Sequence, residues 1–180
     1  MSHCYYCGNP APPDMGLGGV ASCPTHGPLW KLVQQGPTAN VIVERDGKIL
    51  MVKRAHDPYI DHWCIPGGFS DYGEHPEDTA RRELSEEAGV QVTLTGLLGI
   101  YVAPYARPSE TDWIQTTVYL GITDDDPTVG DHETSEVGWF DPADPPTPTV
   151  PSHLVRLDDY LQGRLWRWTH QTAAGSMEPG

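Results

Sequence analysis

One stretch, GGFSDYGEHPEDTARRELSEEAGV at residues 67–90, constrains the backbone more than any other part of the chain. Pro76 suits a first helical turn, and Glu77 and Asp78 follow it where the helix dipole favours negative charge. Gly89 is placed to end the helix in a left-handed cap, so the punctuation predicts a helix over Pro76–Ala88. Ala80, Leu84 and Ala88 recur every four residues and make a narrow apolar stripe. Glu83, Glu86 and Glu87, related by three- and four-residue steps, project toward one broad side. Carboxylates so close repel unless something compensates. Arg82 can do so in part, one turn before Glu86, and a divalent cation with oxygen ligands can do more. A solvated acidic turn is the alternative on these acids alone.

The flanking sequence tells what the helix packs on. TANVIVERDGKILMVKR, residues 38–54, has two β-rich runs around an Asp-Gly turn and predicts a hairpin. CIPGGF predicts a short strand running into a glycine turn. After the helix come VQVTLTGLLGIYVAPY, WIQTTVYLGIT and EVGWFDP, rich in β-branched and aromatic residues. A second helix is expected in SHLVRLDDYLQGRLWRW, residues 152–168, and a frayed tail over 171–180. Strands, helix, strands, helix predicts an α/β fold with a mixed sheet between helices.

Charge narrows the partners. With 11 basic against 25 acidic residues and a formal net charge of -14, the surface repels nucleic acid and anionic membrane. A small phosphorylated ligand remains compatible, because divalent cations can neutralise its phosphates and a carboxylate cluster together. No apolar run reaches about 18 residues and no charged-then-apolar leader opens the sequence, which reads as cytoplasmic.

Near the amino terminus, CYYCG and CPTHG place Cys4, Cys7, Cys23 and His26 as a CxxC and a CxxH pair. Two such knuckles can set four ligands tetrahedrally around Zn²⁺, with Gly8 and Gly27 letting the backbone turn back over the ion. Four protein ligands leave no open position, so the zinc is expected to be structural. His3 is a rival fourth ligand only if the second knuckle forms poorly, and Cys64, among apolar neighbours, reads as core.

In the acidic stretch, Gly68 is followed after five residues by Glu74 and after seven more by Arg82, Glu83 and Leu84. Glu86, Glu87, Gly89 and Val90 then complete a 23-position pattern. Every defined position of the Nudix hydrolase signature is filled, and the chain resembles that family over residues 38 to about 145. The resemblance implies an α/β/α sandwich, over 37–170, and the two Cys/His knuckles place a small zinc ribbon and linker before it at 1–36. It also implies Mg²⁺ or Mn²⁺ held by Glu83, Glu86 and Glu87 beside Gly68, with Arg82 orienting the acids and Glu74 tying loop to helix. The general base is expected at a glutamate of the signature, such as Glu86, or in the later loop GDHETSE. There Glu133 is preferred over Glu136 and His132.

The implied reaction is hydrolysis of a nucleoside diphosphate linked to another moiety, giving two monophosphates. A zinc ribbon before such a domain is similar to the NADH pyrophosphatase group and to a group acting on ADP-ribose or FAD. The SQPWPF-type stretch of the NADH group is missing, whereas RAHDPYIDHW is similar to the ADP-ribose and FAD type. Tyr59, Trp63, Tyr101, Tyr105 and Trp113 offer flat stacking surfaces, each equally readable as core, and Arg54 and Arg107 offer phosphate or ribose contacts. Nucleoside triphosphate hydrolysis to a monophosphate and pyrophosphate is the alternative, and a non-enzymatic nucleotide-binding module the third reading. The ribbon also offers a rigid surface for a homodimer.

Overall fold

The computed structural model describes residues 2–4, 6–15, 20–29, 35–105, 113–130, 132–163 and 167–169. The chain divides into two compact units, Met1–Gln34 and Gln35–Gly180. The first is built from strands too short for a core of ordinary size. β1 (Ser2–His3) pairs antiparallel with β2 (Pro10–Ala11). β3 (Pro13–Asp14), β4 (Val20–Cys23) and β5 (Gly27–Pro28) form a second small sheet. Among the described residues, Cys4, Ala11, Cys23 and Leu29 are buried together. So small a cluster calls for a further staple.

The second unit is organised by β6 (Gly36–Arg45), whose six consecutive buried residues mark a strand covered on both faces. It turns at Asp46 and Gly47 into β7 (Lys48–Arg54). Short strands β8 (Trp63–Cys64) and β9 (Gly67–Phe69) pair with β7 and β6. Beyond the first helix lie β10 (Thr93–Pro104), β11 (Trp113–Ile122) and β12 (Thr134–Phe140). The sheet runs β12-β7-β6-β11-β10-β13, where β13 is Arg167–Thr169. β6–β11 and β10–β13 are parallel and the other pairs antiparallel, a mixed sheet.

Alternation along β6 sends Ala39, Val41 and Val43 to one face, where they meet Ala80, Leu84 and Ala88 of α1 (Pro76–Ala88). Ile42 joins the opposite cluster with Met51, Ile65, Val118 and Leu157 of α2 (Pro151–Leu161). The result is the α/β/α sandwich expected from the order of elements. One boundary differs. The second helix stops at Leu161, and Arg167–Thr169 is instead an extended strand beside β10. Gly163, at φ 61, turns the chain between them, and the sheet edge offers backbone partners that a continued helix would forgo. The expected tail over 171–180 lies outside the described residues.

Candidate active site

Helix α1 begins where His75, the N-cap, accepts from Glu77 N–H at 3.3 Å, and ends at Gly89, whose φ of 67 only glycine adopts freely. Its acidic side is organised by one guanidinium. Arg82 donates through Nε and Nη2 to both oxygens of Glu74, at 2.8 and 2.9 Å. Its Nη1 reaches Glu83 at 2.9 Å and Glu86 at 3.0 Å, and Nη2 also donates to the Phe69 carbonyl at 3.0 Å. A planar fork suits such a junction, since its five donors have fixed directions. Glu74 in turn accepts from Asp71 N–H and from Thr79 Oγ1, so the loop before the helix is fastened to its first two turns. The Arg82 bonds, with Asp71 and Thr79 assisting, hold the Glu74 carboxyl down at about 2.

The glycine turn closes against the same acids. Gly67 N–H donates to Glu87 Oε2 at 2.9 Å, and Glu87 is buried. A Cβ on Gly68 would stand 2.6 Å from the Glu83 carboxylate, so glycine is what lets β9 lie on this face of the helix. Burial raises the Glu83 carboxyl above the usual range. Arg82 opposes the rise, and the neighbouring charges of Glu86 and Glu133 add to it. At the far end of α1, Thr128 N–H and Gly130 N–H cap the carbonyls of Ala88 and Glu87. This lays the loop leading to Glu133 across the helix terminus. Nothing in the sequence pattern singles out Gly130, yet a Cβ there would collide with the Glu86 carbonyl.

Glu83, Glu86, Glu87 and Glu133 line one cavity of about 290 Å³. Its other wall is basic and polar: Arg54, His153, Arg156, Thr38, Asn40 and Thr116. Arg156 is buried and donates to Asn40 Oδ1 at 2.6 Å and Thr116 Oγ1 at 3.2 Å. Desolvation lowers it to about 10, which leaves it cationic at neutral pH. Asn40 also donates to the carbonyls of Ile65 and Pro66, just ahead of the glycine turn. A second cavity of about 430 Å³ adjoins the first and shares Arg54, Cys64, Tyr105, Ile114 and His153 with it. Clustered carboxylates with a cationic fork among them form an all-oxygen donor set of the kind that takes Mg²⁺ or Mn²⁺.

The residues selected from sequence divide clearly. Arg82, Glu83, Glu86, Glu87, Gly68 and Glu133 meet at the first cavity, Tyr59 lines the second, and Arg54 lines both. Arg54 is held by its Nε bond to the Pro58 carbonyl at 2.7 Å. Trp63 is a correction. It is 9% exposed and packs edge-on against Phe140 with ring centroids 4.7 Å apart, so it belongs to the core and lines neither cavity. Trp113 opens β11 opposite Pro104 and is likewise absent from both linings. Tyr101 is buried, with its hydroxyl donating to Asp159 at 3.0 Å. Glu136 pairs with Lys53 at 2.8 Å on the surface, and Arg107 lies outside the described residues. Asn40, His153 and Arg156 were not selected. A His and an Arg one turn apart in a helix that must bury one face was the available signal.

In the amino-terminal unit, the ligand atoms of Cys4, Cys7, Cys23 and His26 lie within 4.8 Å of one another. Cys7 Sγ is 3.8 Å from Cys23 Sγ, and His26 Nδ1 is 3.5 and 3.6 Å from the sulfurs of Cys4 and Cys23. A tetrahedron with Zn–S of about 2.3 Å and Zn–N of about 2.05 Å has edges of about 3.8 and 3.6 Å. These three separations match such edges, so the four residues suit Zn²⁺. Desolvation opposes ionisation of Cys23, but the backbone N–H groups of His26 and Thr25 and the His26 ring outweigh it and bring the thiol to about 6. A thiolate at neutral pH is what a zinc ligand requires.

A profile of the NUDIX domain matches residues 34–160. The chain belongs to this family, and the complete set of signature acids on α1 makes it a Nudix pyrophosphohydrolase. It is similar to a NUDIX hydrolase from Nitrosomonas europaea, whose crystal structure superposes with a TM-score of 0.73 at 25% identity, covering 91% of this chain and 92% of that one. A relative from Bacillus subtilis, named a putative 8-oxo-dGTP diphosphatase, is 29% identical over 123 residues, 68% of this chain and 77% of the relative. An ADP-ribose pyrophosphatase of Methanocaldococcus jannaschii is 40% identical over 67 residues. That match spans 37% of this chain and 40% of the archaeal protein, less than half of its length. Among the described residues, no helix is long and apolar enough to cross a membrane.

Proposed function

We propose that the chain hydrolyses the pyrophosphate bond of a nucleoside diphosphate linked to a second moiety, ADP-ribose, FAD or NAD(H), giving two monophosphates. The observation that carries this reading is the two-part cleft. The stretch Arg54-Ala55-His56-Asp57-Pro58-Tyr59 contributes Arg54, Pro58 and Tyr59 to the larger cavity, which shares Arg54, Tyr105 and His153 with the cavity that the carboxylates line. A nucleoside or sugar half would occupy the larger cavity against Tyr59 and Tyr105, and the diphosphate would lie beside α1.

Glu83, Glu86 and Glu87 would hold Mg²⁺ or Mn²⁺, which when bound supplies charge neutralisation on the phosphate oxygens and activation of water. Glu133 acts as general base, with Glu86 the alternative. A water oxygen bonds to phosphorus as the bridging P–O bond breaks, the water proton passes to the carboxylate, and both products leave as monophosphates. Arg82 keeps Glu83 and Glu86 facing the cleft, and Arg54 steadies the departing half. The Cys4, Cys7, Cys23 and His26 site would hold structural Zn²⁺, which adds folding energy and no chemistry. The acidic composition supports a small nucleotide, and not nucleic acid, as partner; a cytoplasmic setting is part of the same reading. A homodimer through the ribbon would show as a doubled mass in solution.

The Bacillus subtilis relative, which aligns with more of the chain than the ADP-ribose pyrophosphatase does, favours a second reading on nucleoside triphosphates. Comparing kcat/KM across ADP-ribose, FAD, NADH and the triphosphates separates the two. The highest value on a diphosphate-linked compound is expected; a monophosphate and pyrophosphate released from triphosphates alone would replace it with the second reading.

A further inference from the structure

On the basic wall of the cleft, α2 carries a hydrogen-bonding conflict. Ile65 N–H donates to Nδ1 of His153 at 2.9 Å, so that nitrogen holds a lone pair and no proton. The proton of the neutral ring is then on Nε2, which lies 3.1 Å from Nη1 of Arg156, a group that can only donate. Burial, with Arg156 and Arg54 nearby, pushes the imidazole well below its usual range and keeps it neutral. Two donors therefore face each other with no acceptor between them.

Arg156 is short of acceptors in its own right. It is 1% exposed, its Nε has no hydrogen-bond partner, and its side-chain acceptors, Asn40 and Thr116, are uncharged. The Tyr101 ring, 5.7 Å from its guanidinium carbon, offsets part of the cost of burying the charge, and an anion in the cavity would offset more. Both His153 and Arg156 line the cavity that Glu83, Glu86, Glu87 and Glu133 also line, and His153 lines the adjoining cavity as well.

We propose that His153 and Arg156 form a donor pair that binds a non-bridging phosphate oxygen of the substrate, holding its diphosphate between α1 and α2. The inference deepens the reading above and rests on the substrate carrying a diphosphate. A phosphate oxygen has lone pairs for both donors and a charge for Arg156, whereas a carbonyl would leave the guanidinium unbalanced. Asn40 links the pair to the reacting side. The same side chain that accepts from Arg156 donates to Ile65 O and Pro66 O, and the next residue, Gly67, donates to Glu87. The donor pair and an acid of the signature are thus fixed to one glycine turn.

The test uses the full chain with Mg²⁺ and methylenediphosphonate, a diphosphate whose bridge cannot be hydrolysed. His153→Asn keeps an acceptor for Ile65 N–H and removes the Nε2 donor; Arg156→Lys keeps the charge and removes the fork. By calorimetry, each substitution is expected to weaken methylenediphosphonate binding about tenfold or more, the worth of one lost hydrogen bond to an anion. KM for the nucleotide should rise more than kcat falls. Wild-type affinity in folded His153→Asn overturns the proposal, as does loss of adenosine binding in that variant with methylenediphosphonate binding intact. If Arg156→Lys does not fold, His153→Asn decides alone. Absence of nucleotide hydrolysis by the wild type would remove the proposed function but leave this binding result readable.

Discussion

Arg82 organises the acidic side of α1 through a single side chain, and the acids it orients are the ones proposed to hold a divalent cation. It bridges Glu74, Glu83 and Glu86 and fastens the Phe69 carbonyl as well. Glu87→Gln should leave folding nearly intact, since the amide oxygen can still accept from Gly67 N–H, yet turnover should collapse with the lost charge. Thermal unfolding and kcat measured together check this. Glu133→Gln is expected to lower kcat by about 10²- to 10⁴-fold if that carboxylate is the base, and to move the melting temperature far less, since the residue is exposed. Glu74 gives a pH signature. Its folded value of about 2 lies below the ordinary range near 4.3, so its contribution is present above about pH 4.3 and is lost as pH falls toward 2. Glu74→Gln should flatten acid unfolding across that window. The residues of the signature could be read from spacing because one helix and one turn fix their relations. Trp63, buried against Phe140, and Arg156, reaching Asn40 from the last helix, could not, because those contacts join segments distant in sequence.

At the scale of elements, α1 works because both of its ends are tied down. Its first turns are held by Glu74 and its last carbonyls by Thr128 and Gly130. Gly130→Ala would force the loop off the Glu86 carbonyl and is expected to destabilise by about 1–3 kcal/mol. It should also cost activity beyond that, since Glu133 lies three residues on. Urea unfolding and kcat on the same preparation test the two effects. The β6–β7 hairpin, α1 and the three long strands after it follow from hydrophobic period and turn residues. The end of α2 does not, because LQGRLWRW carries enough apolar character for a helix, and the vacant edge of β10 recruits its last part as a strand.

For the whole molecule, the two units call for different staples. The larger has a sheet with a cluster on each face, whereas in the smaller the described residues form one small apolar cluster beside three sulfurs and one nitrogen. Cys4→Ser or Cys23→Ser is expected to abolish bound zinc, measured by elemental analysis, and to lower the unfolding temperature while altering kcat far less. Unchanged zinc content would reject the site. In the larger unit, the α1 acids are proposed to cleave a pyrophosphate bond joining two organic halves. Anion-exchange analysis of ADP-ribose incubated with Mg²⁺ and the protein tests it most directly. AMP and ribose 5-phosphate in equal amounts from the wild type, and neither from Glu86→Gln or Glu87→Gln, is the expected result. Intact ADP-ribose with the wild type, or undiminished cleavage by either variant, would contradict it.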